Sequence, residues 1–426
     1  MRERISWQRN PVLWFAARIN IYTIALSALW TPLDAVVLQQ RVSDTAPYVL
    51  RDTALGIVSF VGIGLAAVMQ PIAGHISDRA PLPDRRRPFI VGATAFDLPF
   101  LLFFWWAPSY AWLFAAYLLL QVSSNFAQAS FQALIPDLVR PVHYGLASGI
   151  KNGYDLVGSV IGLAGVGLLL GLGVGQDAAL AFLAGVLVVG AALTIVWVPP
   201  VRPLPPEQRA RSLWDLLDLR SLPEAFKIDL HAHRAFALAV AVRFLFLLGL
   251  YPVQRFLLYF VQDRFGLQGA VEATSFYVLG ILLMAGLAAA GAGLLSDRFG
   301  RLNTLRLGIT ISVAGVLGLA FSPSIVVLIG TGAVLAIGIG TFQAVNWALL
   351  SDHIPGGQGA RFFGLANIAT AGASALAGLL GPLISLLNSL TPVDSYQIAF
   401  GIAAAVALSS LLPLQRIEDG RRGRGG

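Results

Sequence analysis

Long runs of hydrophobic residues alternate with short polar breaks along the whole chain of 426 residues. A helix needs about 20 mostly apolar residues to cross about 30 Å of hydrocarbon, and twelve runs reach that length. In the first half these runs are Val12–Leu38, Thr53–Ile76, Phe89–Ala107, Tyr110–Ile135, Leu146–Leu172 and Ala178–Val198. In the second half they are Phe236–Val261, Ala273–Leu295, Leu302–Phe321, Ser324–Leu350, Phe362–Leu387 and Ser395–Leu414. The pattern predicts an all-α polytopic membrane protein with twelve transmembrane helices.

The two halves of the chain repeat each other. Gly74 and Asp78 recur as Gly293 and Asp297 at an offset of 219 residues, and residues 128–139 align with residues 343–354 at an offset of 215. We therefore predict two pseudo-symmetric six-helix bundles, residues 1–198 and 236–414, with a cytoplasmic linker at 199–235 and a basic cytoplasmic tail at 415–426. Halves related in this way place a substrate cavity near the membrane midplane and alternate its access by rocking.

Composition and charge agree with a membrane protein. The chain is 57% hydrophobic and 12% charged, with a net charge of +7. With the N-terminus taken as cytoplasmic, 23 of the 29 Lys and Arg residues fall on the cytoplasmic side of the predicted helices. The positive-inside rule then predicts that both termini are cytoplasmic, and it explains the positive charge without a nucleic-acid partner. We expect the protein to lie in a bacterial cytoplasmic membrane.

Several functional classes are excluded by missing residues. The chain has no cysteine, which excludes disulfides, cysteine-based metal sites and thiol catalysis. It also lacks an enzyme signature and a Walker-type phosphate-binding loop, which argues against catalysis and ATP-driven transport. We expect neither a cofactor nor a metal site.

A charged break, "GLLSDRFGR", follows the eighth run, and a looser copy, "GHISDRAPLPDRRRP", follows the second run. Carboxylates and guanidinium groups in such breaks can pair, and glycine lets a helix end approach its neighbour closely. We predict a cytoplasmic gate, and the alternative is a plain positively charged turn. The predicted gating residues are Gly74, Asp78, Arg79, Arg85, Arg86, Arg87, Gly293, Asp297, Arg298, Gly300 and Arg301.

The second copy resembles the signature loop of the major facilitator superfamily. The run "RRRPFI" of the first copy resembles the glycoside–pentoside–hexuronide cation symporters and the sucrose:proton symporter branch. The resemblance implies the major facilitator fold and cofactor-free transport of a small solute. Drug/proton antiporters of the superfamily carry an arginine in the fourth helix and a Gly-Pro pair in the fifth. The fourth run here has no basic residue and the fifth has no proline, which weakens the antiporter alternative.

Charged residues within apolar runs are costly and mark functional sites by default. Asp97 lies near the centre of the third run, where a carboxyl can bind and release a proton or pair with a cation of another helix. Asp34 and Asp155 are further candidates for proton coupling. Asp155 follows Lys151 by one helical turn, which predicts a self-neutralising pair. The basic residues in or beside the apolar runs are Arg18, Lys151, Arg243 and Arg255, and we expect the repeat-related Arg18 and Arg243 to pair with carboxylates.

Amide and aromatic side chains within the runs are candidates for binding a sugar, because sugar recognition uses amides, hydroxyls and aromatic faces. Their alternative role is hydrogen bonding between helices. The predicted cavity residues are Asn125, Gln128 and Gln132 of the fourth run, Gln343, Asn346 and Trp347 of the tenth, and Tyr22, Trp30, Tyr251 and Gln254.

Together these features favour a secondary transporter, a proton-coupled symporter of a sugar or glycoside that works by alternating access. Its expected partners are the solute, the proton and membrane lipid, and we expect a monomer. One alternative is a proton-driven exporter of drugs or metabolites. Another is a non-transporting protein of the same fold, such as a pigment-delivery or assembly factor.

Overall fold

The structure is a computed structural model that describes residues 11–202, 215, 233–267, 269–354, 359–390 and 395–417. These residues form helices and no strand. The helices of the first half are α1 Pro11–Ile19, α2 Tyr22–Pro32, α3 Leu38–Thr45, α4 Arg51–Arg79, α5 Arg87–Trp105, α6 Tyr110–Gln132, α7 Leu134–Leu138, α8 Tyr144–Gly171 and α9 Gln176–Trp197. Those of the second half are α10 Arg234–Phe265, α11 Ala270–Phe299, α12 Arg301–Ala320, α13 Ile325–Asp352, α14 Gly359–Ala377, α15 Leu380–Leu390, α16 Ser395–Ser409 and α17 Leu411–Gln415.

Every predicted hydrophobic run is occupied by helix in the described residues. Ten spans are long and apolar enough to cross a membrane, and the bent pair Pro11–Ile19 and Tyr22–Thr45 makes an eleventh. The remaining run is α6, whose polar residues Gln121, Ser123, Ser124 and Asn125 lower its hydropathy. The predicted all-α polytopic fold is confirmed.

Four of the runs are broken, whereas the hydrophobic pattern predicted continuous helices; the fourth run breaks at Ala133 and the twelfth at Ser410. The first run bends by 42° between Ile19 and Tyr22, where the amide of Asn20 donates hydrogen bonds to the carbonyls of Ala16 and Ala147 at 2.8 and 3.2 Å. After Pro32 the same run continues as one π-helical segment, Leu33–Val37, since proline has no N–H to donate and its ring disturbs the preceding turn. The eleventh run is divided into α14 and α15 by a turn at Gly378 and Leu379.

The chain divides into two compact units by its contacts. Unit 1 comprises residues 1–33, 68–107 and 114–222, and unit 2 comprises residues 34–67, 108–113 and 223–426. The grouping therefore divides α4 after Ala67. The predicted boundary at the linker 199–235 stays a prediction, because most of that linker lies outside the described residues.

Small residues bring the helices of unit 1 close together. A methyl group at Gly158 or Gly162 of α8 would overlap the backbone of Ile24 or Ala28 of α2. Small residues at a helix crossing let two backbones approach and gain van der Waals contact, which replaces the hydrophobic effect inside a membrane. The helix α2 that packs on α8 in this way also contacts α5, the helix of Asp97, through a hydrogen bond between Tyr22 and Thr94.

The same device recurs in unit 2. A methyl group at Gly338 of α13 would overlap Ser312 of α12, and one at Gly340 would overlap the carbonyl of Ala285 of α11. Glycine on α13 therefore permits close packing on both sides of this helix. The packing positions the polar residues that lie one and two turns further along α13.

Candidate functional site

Asp97 of α5 is fully buried in unit 1. It lies ten residues after Arg87, at which α5 begins, which corresponds to about 15 Å along a helix and thus to the middle of a bilayer. Its Oδ1 atom accepts hydrogen bonds from the hydroxyls of Ser123 and of Ser124, the latter at 2.9 Å. Its Oδ2 atom is enclosed and has no hydrogen-bond partner among the described residues. No cation of the described residues pairs with Asp97, so the alternative of an ion pair is wrong.

The other two predicted proton sites differ from Asp97. Asp155 is exposed and accepts a hydrogen bond from Ser27, and within the described part of the chain it forms no ion pair with Lys151, contrary to the predicted i,i+4 pair. Asp34 lies in the π-helical segment of unit 2 with its side chain 32% exposed, 3.9 Å from the guanidinium of Arg255. Both carboxylates therefore retain contact with solvent or a cation, and Asp97 has neither.

Arg243 of α10 lies within a polar group that we name the Arg243 cluster: Arg243, Gln343, Asn346, Trp347 and Thr370. The Nε atom of Arg243 donates to the hydroxyl of Thr370 at 2.8 Å, and Nη1 donates to the amide oxygens of Gln343 and Asn346 at 3.1 and 3.2 Å. The guanidinium carbon lies 4.4 Å from the ring centroid of Trp347, which is a cation–π contact. The predicted carboxylate partner is wrong, since all these partners are neutral. Its repeat-related residue, Arg18, is exposed and forms no ion pair within the described residues.

The predicted amide stripe of α6 is divided by the structure. Asn125 is buried and donates to Gln121 of its own helix at 2.7 Å, and Gln132 accepts a hydrogen bond from Gln70 at 3.1 Å. Gln128 lies between them, half-buried, and makes no hydrogen bond to another described residue. Asn125 and Gln132 therefore form hydrogen bonds within and between helices, whereas the amide of Gln128 remains available to bind a solute.

The four remaining cavity candidates occupy different environments. Tyr22 is fully buried in unit 1, and its hydroxyl lies 2.5 Å from the hydroxyl of Thr94, one turn before Asp97. Trp30 meets Tyr117 edge to face at 6.1 Å between ring centroids. In unit 2, Tyr251 is half-buried and Gln254 is exposed. Tyr22 thus packs the core, while the other three keep some accessible surface.

The first charged break folds into an ion-pair network in unit 1, the Arg86 cluster: Ser77, Asp78, Arg85, Arg86 and Asp137. The carboxylate of Asp137 accepts from Nε of Arg86 and Nη2 of Arg85, each at 2.6 Å. Arg86 is 3% exposed and also donates to Ser77 and to Asp78. All nitrogens of Arg86 are therefore engaged, and they join the end of α4 to α7.

Two further residues of this break, Asp84 and Arg87, form hydrogen bonds with the end of α9 and the chain that follows it. Arg87 donates to Asp84 and to the carbonyls of Ile195 and Val198, where a guanidinium complements the carbonyl end of the helix. Burial opposes the charge of Asp84, but hydrogen bonds from Arg87 and from the backbone N–H groups of Arg86, Val201 and Arg87 outweigh it and lower the pKa of the Asp84 carboxyl. Asp84 therefore stays ionised at neutral pH. Arg79, also predicted to gate, is half-buried.

The second charged break repeats this pairing in unit 2 with fewer groups. Nε of Arg301 lies 2.7 Å from the carboxylate of Asp352. Arg86 and Asp137 each precede these residues by 215 positions, so the same ion pair recurs in both halves. The side chain of Asp297 lies outside the described residues, and Arg298 is exposed.

The close helix contact expected at the glycines of the two breaks is not present at Gly74 or Gly293 in this structure. No neighbouring atom lies within 4 Å of where a Cβ atom would stand at Gly74 or Gly293, so neither residue permits a close helix contact. Gly300 has another role, because its φ of +84° places it in a region that L-residues rarely adopt. This conformation ends α11 and lets α12 begin at once with Arg301.

Comparison with known families identifies the fold that carries these paired networks. The sequence model of the Major Facilitator Superfamily matches residues 13–292 and 285–422. The chain belongs to the Major Facilitator Superfamily. It is therefore an integral membrane transporter and not an enzyme. None of the curated proteins matches the sequence at a significant level.

Solved structures of other transporters share the fold. The nucleoside transporter NupG gives a TM-score of 0.71 at 15% identity, with 95% of this chain and 99% of that chain covered. The human organic anion transporter MFSD10 gives 0.61 at 17% identity, with 96% and 100% covered. A bacterial homolog of the human lysosomal transporter Spinster, in an inward-facing and occupied conformation, gives 0.67 at 16% identity, with 95% and 94% covered. At these identities the likeness shows the fold alone.

The transporter also contains a charged network that the sequence analysis missed, which we name the Arg51 cluster: Arg51, Asp52, Asp263, Asn388 and Tyr396. Arg51, which begins α4 and has a side chain 5% exposed, pairs with Asp263 near the end of α10. The hydroxyl of Tyr396, in the first turn of α16, lies 2.9 Å from Asp52 and 3.3 Å from Asp263. Asn388 of α15 lies 3.4 Å from Asp52. One network therefore joins four helices of unit 2.

The Arg51 cluster was not predicted because its charged residues lie in or beside short polar breaks between the apolar runs, where charged side chains are usually solvated. One signal was available: Arg51 and Arg264 are two of only three basic residues outside the predicted cytoplasmic side and the apolar runs, and acidic residues adjoin both. The close approach of α4 to the turn between α14 and α15, beside the cluster, could not be recognised from the sequence. A methyl group at Gly56 would overlap the carbonyl of Gly378, and one at Gly381 would overlap that of Asp52.

Proposed function

We propose that this member of the superfamily is a proton-coupled symporter of a sugar or glycoside, and that Asp97 is the group that binds the proton. The finding that carries the proposal is the burial of Asp97 without a cation, with one carboxyl oxygen enclosed and unpartnered. An isolated carboxylate is far more costly to bury than a neutral carboxylic acid. Binding and release of a proton at Asp97 therefore changes the stability of the surroundings of α5 and α6.

The position of Asp97 supports coupling of its proton to movement. Tyr22, which is hydrogen-bonded to Thr94 one turn earlier, belongs to α2, and Ser123 and Ser124 belong to α6. A change of charge at Asp97 thus acts on side chains of neighbouring helices. A group that carries protons must be exposed to each side in turn, as the alternating-access cycle of this fold provides.

The partly accessible amides and aromatic faces support a glycoside as the solute. Gln343 and Trp347 in unit 2 and Gln128 and Trp30 in unit 1 are half-buried, and such groups bind hydroxyls and the apolar faces of sugar rings. A nucleoside is itself a glycoside, and the structurally similar NupG is described as a nucleoside transporter. We include nucleosides in the proposed solute class for this reason.

We further propose that the protein acts as a monomer in a bacterial cytoplasmic membrane with both termini in the cytoplasm. The bias of Lys and Arg to one side of the helices supports this orientation. The Arg86 cluster and the Arg301–Asp352 pair then lie on the cytoplasmic side. We assign both to gating, since ion pairs at helix ends can form in one conformation and separate in another.

The test is uptake by the purified protein in liposomes with the outside more acidic. Labelled sucrose, maltose and uridine serve as solutes, and we expect the wild type to accumulate at least one of them. Asp97→Asn cannot release a proton, so we expect it to lose accumulation against a gradient but to retain exchange of labelled for unlabelled solute. Asp177→Asn, an exposed carboxylate in the first turn of α9, is the matched control and should accumulate normally.

Three results would contradict the proposal. Gradient-driven accumulation by Asp97→Asn would show that Asp97 is not the group that binds the transported proton. Solute movement only toward the acidic side would indicate an exporter of drugs or metabolites. Absence of any flux in the wild type, together with a change in the level of a partner complex in cells, would indicate the non-transporting alternative.

A further inference from the structure

Arg243 is a buried cation whose partners cannot neutralise it. Of the four arginines that are buried in the described residues, Arg51 pairs with Asp263, Arg86 with Asp78 and Asp137, and Arg255 lies 3.9 Å from Asp34. Among the described residues, Arg243, which is 4% exposed, contacts the hydroxyl of Thr370, two amide oxygens and an indole ring, and the phenol of Tyr251 lies close enough to interact with its charge. Neutral dipoles orient a guanidinium but leave its net charge in place.

The depth of Arg243 makes this lack of a counter-charge costly. It lies nine residues after Arg234, at which α10 begins, which corresponds to about 14 Å along a helix and thus to a depth near the middle of the bilayer. Ionisable residues at this depth face a cavity and occur where a substrate or ion passes. Arginine does not lose its proton in proteins, so the described residues leave this positive charge without a counter-charge.

The side chains of the Arg243 cluster are already ordered in a position where the guanidinium can bind an anion. Nε and Nη1 are fixed by α14 and α13, and Trp347 covers one face of the guanidinium at 4.4 Å. The hydrogen bonds of Arg243 to the described residues use Nε and Nη1 and not Nη2, and Gln343, Trp347 and Thr370 each keep some exposed surface. A guanidinium fixed on one edge offers its other edge to an incoming carboxylate or phosphate without further ordering.

We propose that the Arg243 cluster binds the acidic group of the transported solute, so that the substrate is a small organic anion whose carboxylate or phosphate contacts Nη2 of Arg243. The inference rests on the proposed transport function and narrows its solute class to sugars or glycosides that carry an acid. Trp347, Gln343 and Asn346 then contact the neutral part of the same solute. In this arrangement the substrate supplies the counter-ion that the described residues do not provide.

The test compares acid and neutral forms of the same solute in binding, without any proton gradient. The probes are D-glucuronate with D-glucose, glucose 6-phosphate with glucose, and uridine 5′-monophosphate with uridine, each titrated by calorimetry and thermal shift into protein in phosphatidylcholine nanodiscs. We expect the acid member of at least one pair to bind at least about tenfold more tightly than its neutral partner, as a charge-assisted contact predicts. A parallel set of nanodiscs that contain phosphatidylglycerol tests whether a lipid headgroup is the anion instead.

Two substitutions of Arg243 distinguish binding from a structural role. Arg243→Gln should abolish the acid preference, with a loss of about 100-fold in affinity, whereas Arg243→Lys keeps the charge and should lose about tenfold. Arg264→Gln makes the same change at an exposed position of α10 and should leave the preference unaltered. If Arg243→Gln does not fold, the graded loss in Arg243→Lys still decides the question.

The outcomes separate this inference from the proposed function. Equal binding of acid and neutral members, no binding of any acid, an acid preference that survives in both Arg243 variants, or stabilisation only by phosphatidylglycerol would each overturn the inference. Gradient-driven uptake of a neutral sugar that does not depend on Arg243 would overturn the inference and leave the symporter intact. Binding of an acid that depends on Arg243, without any response of uptake to the pH gradient, would support the inference and contradict proton coupling.

Discussion

Gly162 shows how a single residue sets the distance between two membrane helices. A Cβ atom at this position would overlap the carbonyl oxygen and Cα of Ala28 in α2. Gly153 of the same helix has open space around the equivalent point and is exposed. The pair therefore separates the effect of close contact from the effect of glycine on helix propensity.

We predict that Gly162→Ala lowers the free energy of unfolding by about 1–3 kcal/mol, because the added methyl group must displace the backbone of α2. Gly153→Ala should be neutral or slightly stabilising, since alanine favours helix over glycine. Thermal unfolding of both variants in detergent, followed by tryptophan fluorescence, checks the difference. Equal melting temperatures for the two variants would contradict the close contact of α2 with α8.

Asp97 and Arg243 show how far residue type predicts function. Each was recognisable as a costly charge inside an apolar run. Their partners were not, since hydroxyls from α6 and amides from α13 reach them only through the fold. The same limit explains why Lys151 and Asp155 were wrongly predicted to pair: Ser27 of another helix binds the carboxylate instead.

At the scale of elements, the Arg86 cluster holds the connection between α4 and α5 against α7. The corresponding pair in unit 2, Arg301 and Asp352, has the same spacing in the repeat but is more exposed, with side chains at 25% and 45%. The offset between the halves changes from 219 at Asp78 to 215 at Arg86. Four additional residues between these positions in the first half give its loop the length to place both Arg85 and Arg86 on Asp137.

We predict that Arg86→Gln lowers the free energy of unfolding by about 3 kcal/mol, because it removes a buried cation and leaves the half-buried carboxylate of Asp137 with one cation fewer. It should also increase hydrogen exchange of the backbone amides at residues 80–87. Arg298→Gln removes an exposed arginine from the second break, and its effect should stay within about 0.5 kcal/mol. Chemical unfolding and exchange mass spectrometry measure both quantities, and equal effects of the two substitutions would show that the cluster does not hold the loop.

At the scale of the whole molecule, transport requires the helix ends to close and open in turn. The Arg51 cluster joins α4, α10, α15 and α16 at one end of unit 2 through two carboxylates, one arginine, one tyrosine and one asparagine. The close approach of Gly56 to Gly378 lies one turn further along α4. We infer that opening of this end breaks the ion pair of Arg51 with Asp263, so that the pair stabilises the closed state.

We predict that Asp263→Asn shifts the equilibrium toward an open end of unit 2. A loss of about 1.4 kcal/mol in the closed state changes the ratio of states tenfold, so we expect about tenfold faster labelling of a cysteine at a site that closure buries. Leu55→Cys in α4 is such a site, because Leu55 is fully buried and the chain has no native cysteine to react. The measurement is the rate of maleimide labelling in membranes.

The control for this shift is Glu272→Gln, since Glu272 of α11 is half-buried and makes no ion pair among the residues that the structure describes. Its labelling rate should equal that of the parent. An unchanged rate in Asp263→Asn would show that the Arg51 cluster contributes nothing to closure.

The sequence by itself determined the class of this protein and the placement of its helices. Membrane spans are readable because every backbone group must be satisfied within the helix and the surrounding lipid demands a long apolar run. The repeat was readable because both halves contain a charged break that begins with glycine and, four residues later, aspartate. Interruptions of the helix within an apolar run, as at Asn20 and Gly378, were not predicted. Helix-breaking residues are tolerated wherever neighbouring groups satisfy the backbone, so their effect depends on residues of other segments.

The tertiary structure alone decided which charges are paired. Arg51, Arg86 and Arg255 lie near carboxylates of distant segments, while Arg243 is surrounded by neutral groups. Hydrophobic periodicity carries no information about such partners, because they lie on other helices and interact across a few ångströms of space. Only the fold therefore distinguishes an arginine that forms a structural ion pair from an arginine that is available to bind a charged ligand.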